Sequence, residues 1–125
     1  NILFGLDMVQ RDHKGSSTVA ICEGPLDAMW LWQCGYPAVA LFGASMSVNQ
    51  ERLLRAQFRE FVLAFDADDA GRKITAYVYK HMSDLNISQL ILPPGRKDVQ
   101  ECSSLTIVNM WDSRVGDSRI GFAFR

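Results

Sequence analysis

Apolar residues along this chain alternate between short continuous runs and longer stretches where they recur every three or four positions. The continuous runs are residues 18–22 (TVAIC), 38–42 (AVALF), 61–65 (FVLAF) and 87–93 (ISQLILP). Apolar and rich in β-branched side chains over about five residues, they predict strands buried on both faces. After the first run, Pro25 suits the opening turn of a helix, Leu26, Met29, Trp30, Gln33 and Cys34 follow helical spacing, and Gly35 supplies a stop. Residues 48–58 place their charges on one side and Leu54 and Phe58 on the other, the pattern of an amphipathic helix. Ile74, Tyr77, Val78 and Met82 mark a further helical face. Strands separated by helices predict an α/β domain: about four parallel strands with helices on both faces. At the ends, Ile2, Leu3, Leu6 and Val9 line a short helix ahead of a DHKGS turn. Leu105, Val108, Trp111 and Val115 predict a last helix stopping at Gly116. Ile120, Phe122 and Phe124 alternate as in an added strand or docked tail.

Composition narrows the function. At 125 residues, 48% hydrophobic and 22% charged, the chain is one globular domain with a real core. Thirteen Lys and Arg against fourteen Asp and Glu give a net charge of −1, which excludes a grossly basic nucleic-acid coat but not a local basic patch. No apolar run approaches the roughly 20 residues of a membrane helix, and no signal peptide opens the sequence. The first residue is Asn1, so the chain is read as a fragment of a longer protein. Cys22, Cys34 and Cys102 lack the paired spacing of a zinc site and are read as reduced thiols of a cytoplasmic protein. Arg52, Arg55 and Arg59 form a basic stripe, read first as a solvated face and second as a DNA track. His13 and His81 have no partner motif. Trp30 belongs to its helix's apolar stripe; Trp32 lies off it, and exposure there would suggest a contact with another domain or with nucleic acid.

The chemistry lies where strands end. The first predicted strand runs into Glu23-Gly24, and the third into Asp66-Ala67-Asp68. Residues i and i+2 of an extended segment point the same way, so Asp66 and Asp68 address one point. If those strands are neighbours, about 4.8 Å apart, Glu23 joins them. Three such carboxylates repel unless a cation holds them, and hard oxygen ligands suit Mg²⁺ or Mn²⁺. The plainer alternative is that Asp68 or Asp69 caps the following helix. Gly24 and Gly43 leave strand ends without side chains, where a ligand can approach closely.

Four segments in order, EGPLDA from Glu23, GASMS from Gly43, FDADDAGRK from Phe65 and LPPGRKDVQE from Leu92, resemble the Toprim family of primases, topoisomerases and certain nucleases. The DADDAGR run resembles the primase form D-G-D-x-A-G-R rather than the acid-rich D-x-D-R-E-G-E of type IA topoisomerases. The opening NILFGLDMVQ resembles the L-[FY]-G-L segment ahead of Toprim in bacterial-type primases. Two departures stand out. Ala67 replaces the usual Gly. The bacterial ending G-x-D-P-[DE] is here residues 95–101, without the Pro and with Gln100 in place of the second acid. The K-D-x-x-E-C run is similar to phage and mitochondrial primase-helicases.

The resemblance implies a Toprim fold over residues 18–101, with 1–17 as a lead-in and 102–125 as a helix and tail on the same domain. It implies the catalytic core of a DNA primase, a nucleotidyltransferase using Mg²⁺ or Mn²⁺, ribonucleoside triphosphates and a single-stranded DNA template, with a replicative helicase reached through parts outside this fragment. Asp66 and Asp68 would be metal ligands, and Glu23 a ligand or general base. Asp27, one turn into its helix, can reach the cluster or simply complement the helix dipole. Asp98 is a candidate outer ligand. Arg72 and Lys73 would contact triphosphate or template backbone, since guanidinium grips phosphate bidentately. The alternatives are a metal-dependent Toprim nuclease, or a non-catalytic metal- or nucleic-acid-binding module.

Overall fold

The central strands form where side chains on both faces are apolar, and the two sets differ in size. In the computed structural model, which describes residues 2–116, the order along the chain is α1 (Leu6–Asp12), β1 (Thr18–Cys22), α2 (Pro25–Gln33), β2 (Ala38–Ala40), α3 (Val48–Gln57), β3 (Glu60–Leu63), α4 (Asp69–His81) and β4 (Asn86–Gln89). A 3₁₀ turn (Val99–Glu101), α5 (Ser104–Asp112) and β5 (Val115–Gly116) follow. The sheet order is β2-β1-β3-β4-β5. The first four strands are parallel, with Ile21 opposite both Val39 and Leu63, and Leu63 opposite Gln89. The expected α/β fold of about four parallel strands is present, and β5 adds a two-residue antiparallel strand at one edge, Ser88 opposite Gly116.

Alternation along the strands makes two unlike faces. Val19, Ile21, Val39, Phe61, Leu63 and Ile87 face a large-residue core completed by Val9 of α1, Leu54 of α3, and Ile74 and Val78 of α4. Ala20, Cys22, Ala38, Ala40, Val62 and Ala64 face the other way, where Ala28 and Leu31 of α2 and Ile107 and Met110 of α5 pack. Small side chains on this face of the sheet leave room opposite for Leu31, Ile107 and Met110. α2 is turned from the expected stripe: Leu31 and Ala28 pack on the sheet and Asp27 is held by Gln100, so these three are buried, whereas Leu26 and Met29 are 62% and 40% exposed. Likewise α5 buries Ile107 and Met110, leaves Leu105 exposed and ends at Asp112, so Val115 lies in β5 and not in the helix.

At the other edge Phe4 bridges Ala40 in antiparallel fashion, so α1 starts only at Leu6, behind Gly5 with φ +87°. Trp32 serves this junction. Its indole stacks on Phe4 at 5.5 Å and its Nε1 donates to the Ala38 carbonyl at 2.8 Å, so its off-stripe position is explained within the chain. Ile120, Phe122 and Phe124 lie outside the described residues. Among the described residues no helix is long and apolar enough to cross a membrane.

Candidate metal centre

Parallel sheets of this kind place ligands beyond the carboxyl ends of their strands, and the acids of this chain gather there. Beyond β1, Glu23 accepts the Asp66 backbone N–H through Oε1 at 2.8 Å, which ties the ends of β1 and β3 together. Asp27 follows in the first turn of α2 and is 5% exposed. Its Oδ1 accepts Nε2–H of Gln100 at 2.8 Å, and its carboxylate also takes the Gly24 N–H. The loop after β4 is drawn across by the Ala67 N–H, which donates to the Lys97 carbonyl at 2.8 Å. That contact delivers Asp98. Carboxylate oxygens of Asp27, Asp66 and Asp98 then lie within 4.8 Å of one another.

The five acids expected from the sequence therefore take different places. Asp27, Asp66 and Asp98 converge. Glu23 sits beside them on the Asp66 amide. Asp68 caps α4, its Oδ1 accepting the Gly71 N–H at 2.8 Å, and Asp98 likewise caps the 3₁₀ turn through the Glu101 N–H at 3.2 Å. Arg72 is exposed and paired with Asp69 at 2.6 Å; it borders a hollow of about 290 Å³ that Asp66, Gly71 and Thr75 also line. Lys73 is exposed on the same turn. A side chain on Gly43 would meet nothing within 4 Å, so packing does not demand glycine there. The stripe of Arg52, Arg55 and Arg59 lies elsewhere. Arg55 pairs with Glu51 and bidentately with Asp84, and the Arg59 N–H bonds the Ser17 carbonyl ahead of β1, at the opposite end of the sheet from the acids.

Two residues escaped the sequence reading. Gly71 packs so tightly on the end of β3 that a Cβ would fall 1.9 Å from the Asp66 carbonyl oxygen. A glycine in the first turn of a helix, where alanine is the better former, is the signal that could have exposed it. In the sequence Gln100 stands only where the family pattern has an acid, and nothing in the spacing ties it to Asp27, 73 positions away.

Burial and mutual repulsion raise three acids at this end of the sheet, Glu23, Asp27 and Asp66. Burial, followed by the charges of Glu23, Asp27, Asp68 and Asp98, pushes Asp66 from its ordinary 3.8 to about 6. Glu23 is raised by burial and then by Asp68 and Asp27, against the Asp66 N–H and the Lys97 charge. Asp27 is raised by burial and by Asp98, against its Gln100 and Gly24 donors. One buried oxygen, Asp66 Oδ1, has no hydrogen-bond partner. A carboxylate with an unpaired buried oxygen, grouped with two more carboxylates that are all hard oxygen donors, fits a divalent cation.

The family model described as Toprim-like matches residues 20–103, well over half of the chain. The chain belongs to the Toprim-like family. This Toprim domain is 35% identical over 98 residues to the DNA helicase/primase of Enterobacteria phage T3, covering 71% of the chain and 17% of that protein. It is 30% identical over 101 residues to the DNA primase of Clostridium acetobutylicum, covering 79% and 17% respectively. The chain thus spans less than a fifth of either relative. Its fold is similar to a solved DnaG primase catalytic domain bound to single-stranded DNA, at a TM-score of 0.78 and 22% identity, over 97% of the chain and 41% of that structure.

Proposed function

We propose that this Toprim domain is the catalytic core of a DNA primase, which joins ribonucleotides into primers on a single-stranded DNA template with Mg²⁺ or Mn²⁺. The observation that carries the proposal is the convergence of carboxylate oxygens of Asp27, Asp66 and Asp98 within 4.8 Å of one another, at the carboxyl end of the sheet. The T3 and Clostridium relatives, whose names are helicase/primase and primase, support the choice of reaction.

The reaction brings the 3′-hydroxyl of the growing primer onto the α-phosphorus of a ribonucleoside triphosphate and expels pyrophosphate. A bound divalent cation would activate the attacking oxygen and neutralise charge on the phosphates. Asp66, Asp27 and Asp98 would hold it. Glu23, anchored on the Asp66 amide and raised in pKa by burial, would either complete the donor set or take the hydroxyl proton. Asp68 fixes the start of α4 and adds its charge to the cluster. Arg72, on the rim of the hollow beside Asp66, and the exposed Lys73 would meet triphosphate or template phosphates, and Gly24 and Gly43 would leave the strand ends open for substrate. Template-holding surfaces, and contact with a replicative helicase, belong to parts outside these residues. Cys22, Cys34 and Cys102 are free thiols, which supports a cytoplasmic setting.

The test is primer synthesis on single-stranded DNA by the full open reading frame, with Mg²⁺ and labelled ribonucleotides. The intact protein should make short RNA. Asp66→Asn should lower the yield by a hundredfold or more, on the order of the loss when one stabilising group at a developing charge is removed. The 125-residue chain alone should make little or none. Full activity of Asp66→Asn contradicts the assignment, and metal-dependent cleavage of DNA without synthesis favours a nuclease.

A further inference from the structure

One turn of chain carries both a member of the acidic cluster and the clamp on another. The 3₁₀ turn Val99–Glu101 is capped by Asp98, and its middle residue, Gln100, reaches across to Asp27. Asp27 is almost fully buried, so its orientation is set by its partners and not by solvent. Those partners are the Gln100 amide on Oδ1 and the Gly24 N–H. Gln100 is itself exposed and adds nothing to the core. Its neighbour Glu101 is turned away from the cluster, its Oε1 accepting the Lys97 N–H at 2.8 Å.

We infer that Gln100 is a positioning residue for the metal centre: its neutral amide holds the Asp27 carboxylate toward Asp66 and Asp98. The amide suits this place for an electrostatic reason. Five carboxylates, Glu23, Asp27, Asp66, Asp68 and Asp98, already share the end of the sheet, and a sixth at 2.8 Å from Asp27 would repel it. An amide donor satisfies Asp27 without adding charge and binds α2 to the turn that presents Asp98. Hydrogen bonds behind a ligating carboxylate commonly govern metal affinity tenfold or more. This inference rests on the cation reading of the cluster and extends it to a residue that touches neither cation nor substrate.

The test is Mn²⁺ binding by the full chain, followed by the electron paramagnetic resonance of free Mn²⁺, with far-UV circular dichroism to confirm the fold. Gln100→Met keeps the length of the side chain and removes the donor. It should weaken Mn²⁺ binding about tenfold with an unchanged circular dichroism spectrum. In an Asp27→Asn background the same substitution should have almost no further effect, because Gln100 acts through Asp27. Wild-type affinity in Gln100→Met overturns the inference, and so does an equal loss in both backgrounds. Absence of Mn²⁺ binding by the wild-type chain overturns the cation reading together with it, which separates the two failures.

Discussion

Gly71→Ala tests how the fold places Asp66. In an ordinary helix interior this exchange stabilises by as much as ~1 kcal/mol, because alanine is the better helix former and restricts the unfolded chain. Here the new methyl would stand 1.9 Å from the Asp66 carbonyl oxygen, 2.9 Å from its carbon and 3.1 Å from its nitrogen. These are backbone atoms, so no side chain can rotate out of the way. The start of α4 must therefore back away from the end of β3 by more than about 1 Å, against an interior packed at crystal-like density. Overpacking of this kind costs about 1–3 kcal/mol. The same movement weakens the bond from Gly71 N–H to Asp68, a cap worth about 1 kcal/mol. The expected net effect is a loss of about 2–3 kcal/mol, opposite in sign to the propensity rule. Urea unfolding monitored by circular dichroism gives the stability, and Mn²⁺ titration of the folded variant gives the effect on the cluster, which should also be weakened. A variant as stable as wild type or more so would refute the close approach and the placement of Asp66 derived from it.

Burial and neighbouring acids raise Asp66 to about 6 in the folded chain against an ordinary 3.8; the native state then binds this proton more tightly than the unfolded one. The stabilisation is present below pH ~4 and is lost as pH rises through 6, so without metal the Tm of wild type minus that of Asp66→Asn should fall between pH 4 and 7, and a flat difference counts against the cluster. Ile107→Ala should cost about 2–4 kcal/mol as a buried truncation, while Leu105→Lys should stay within about 0.5 kcal/mol because Leu105 is 68% exposed; equal costs in urea unfolding would contradict the orientation of α5. Arg55→Ala removes the clamp on Glu51 and Asp84 and should lower the urea midpoint only slightly, as for a surface ion pair, without changing Mn²⁺ affinity, since it lies at the far end of the sheet; a metal-binding defect would contradict that separation.

The sequence revealed the core of the fold because strands buried on both faces leave continuous apolar runs, and β1 matches its run residue for residue. Its neighbours are trimmed by geometry the runs do not encode. Phe42, at the end of the second run, has φ +65° and leaves the ladder. The third strand begins a residue earlier than its run, where Glu60 pairs with Thr18 both in register and through side chains at 2.9 Å. Two-residue β5 is too short to leave a pattern. The faces of α2 and α5 are not legible from apolar spacing alone, because both helices carry large apolar residues on more than one side: Leu31, Ile107 and Met110 fill the space left by the alanines of the sheet, while Leu26, Met29 and Leu105 stay exposed. At the site, Glu23 and Asp66 were legible as strand-end acids. The close company of Asp27 and Asp98 depends on a backbone bond from Ala67 to Lys97, a long-range contact that no local spacing records.

The most direct measurement is the amide spectrum of the ¹⁵N-labelled chain during titration with substoichiometric Mn²⁺, whose unpaired electrons broaden nearby resonances. If the acids at the end of the sheet hold the cation, the signals of Gly24, Asp27, Asp66, Ala67 and Asp98 should disappear first, while those of Arg55, Arg59 and Asp84 persist, and Asp66→Asn should abolish the pattern. Broadening centred elsewhere, uniform broadening, or an unchanged pattern in Asp66→Asn would contradict a metal centre built on Asp27, Asp66 and Asp98.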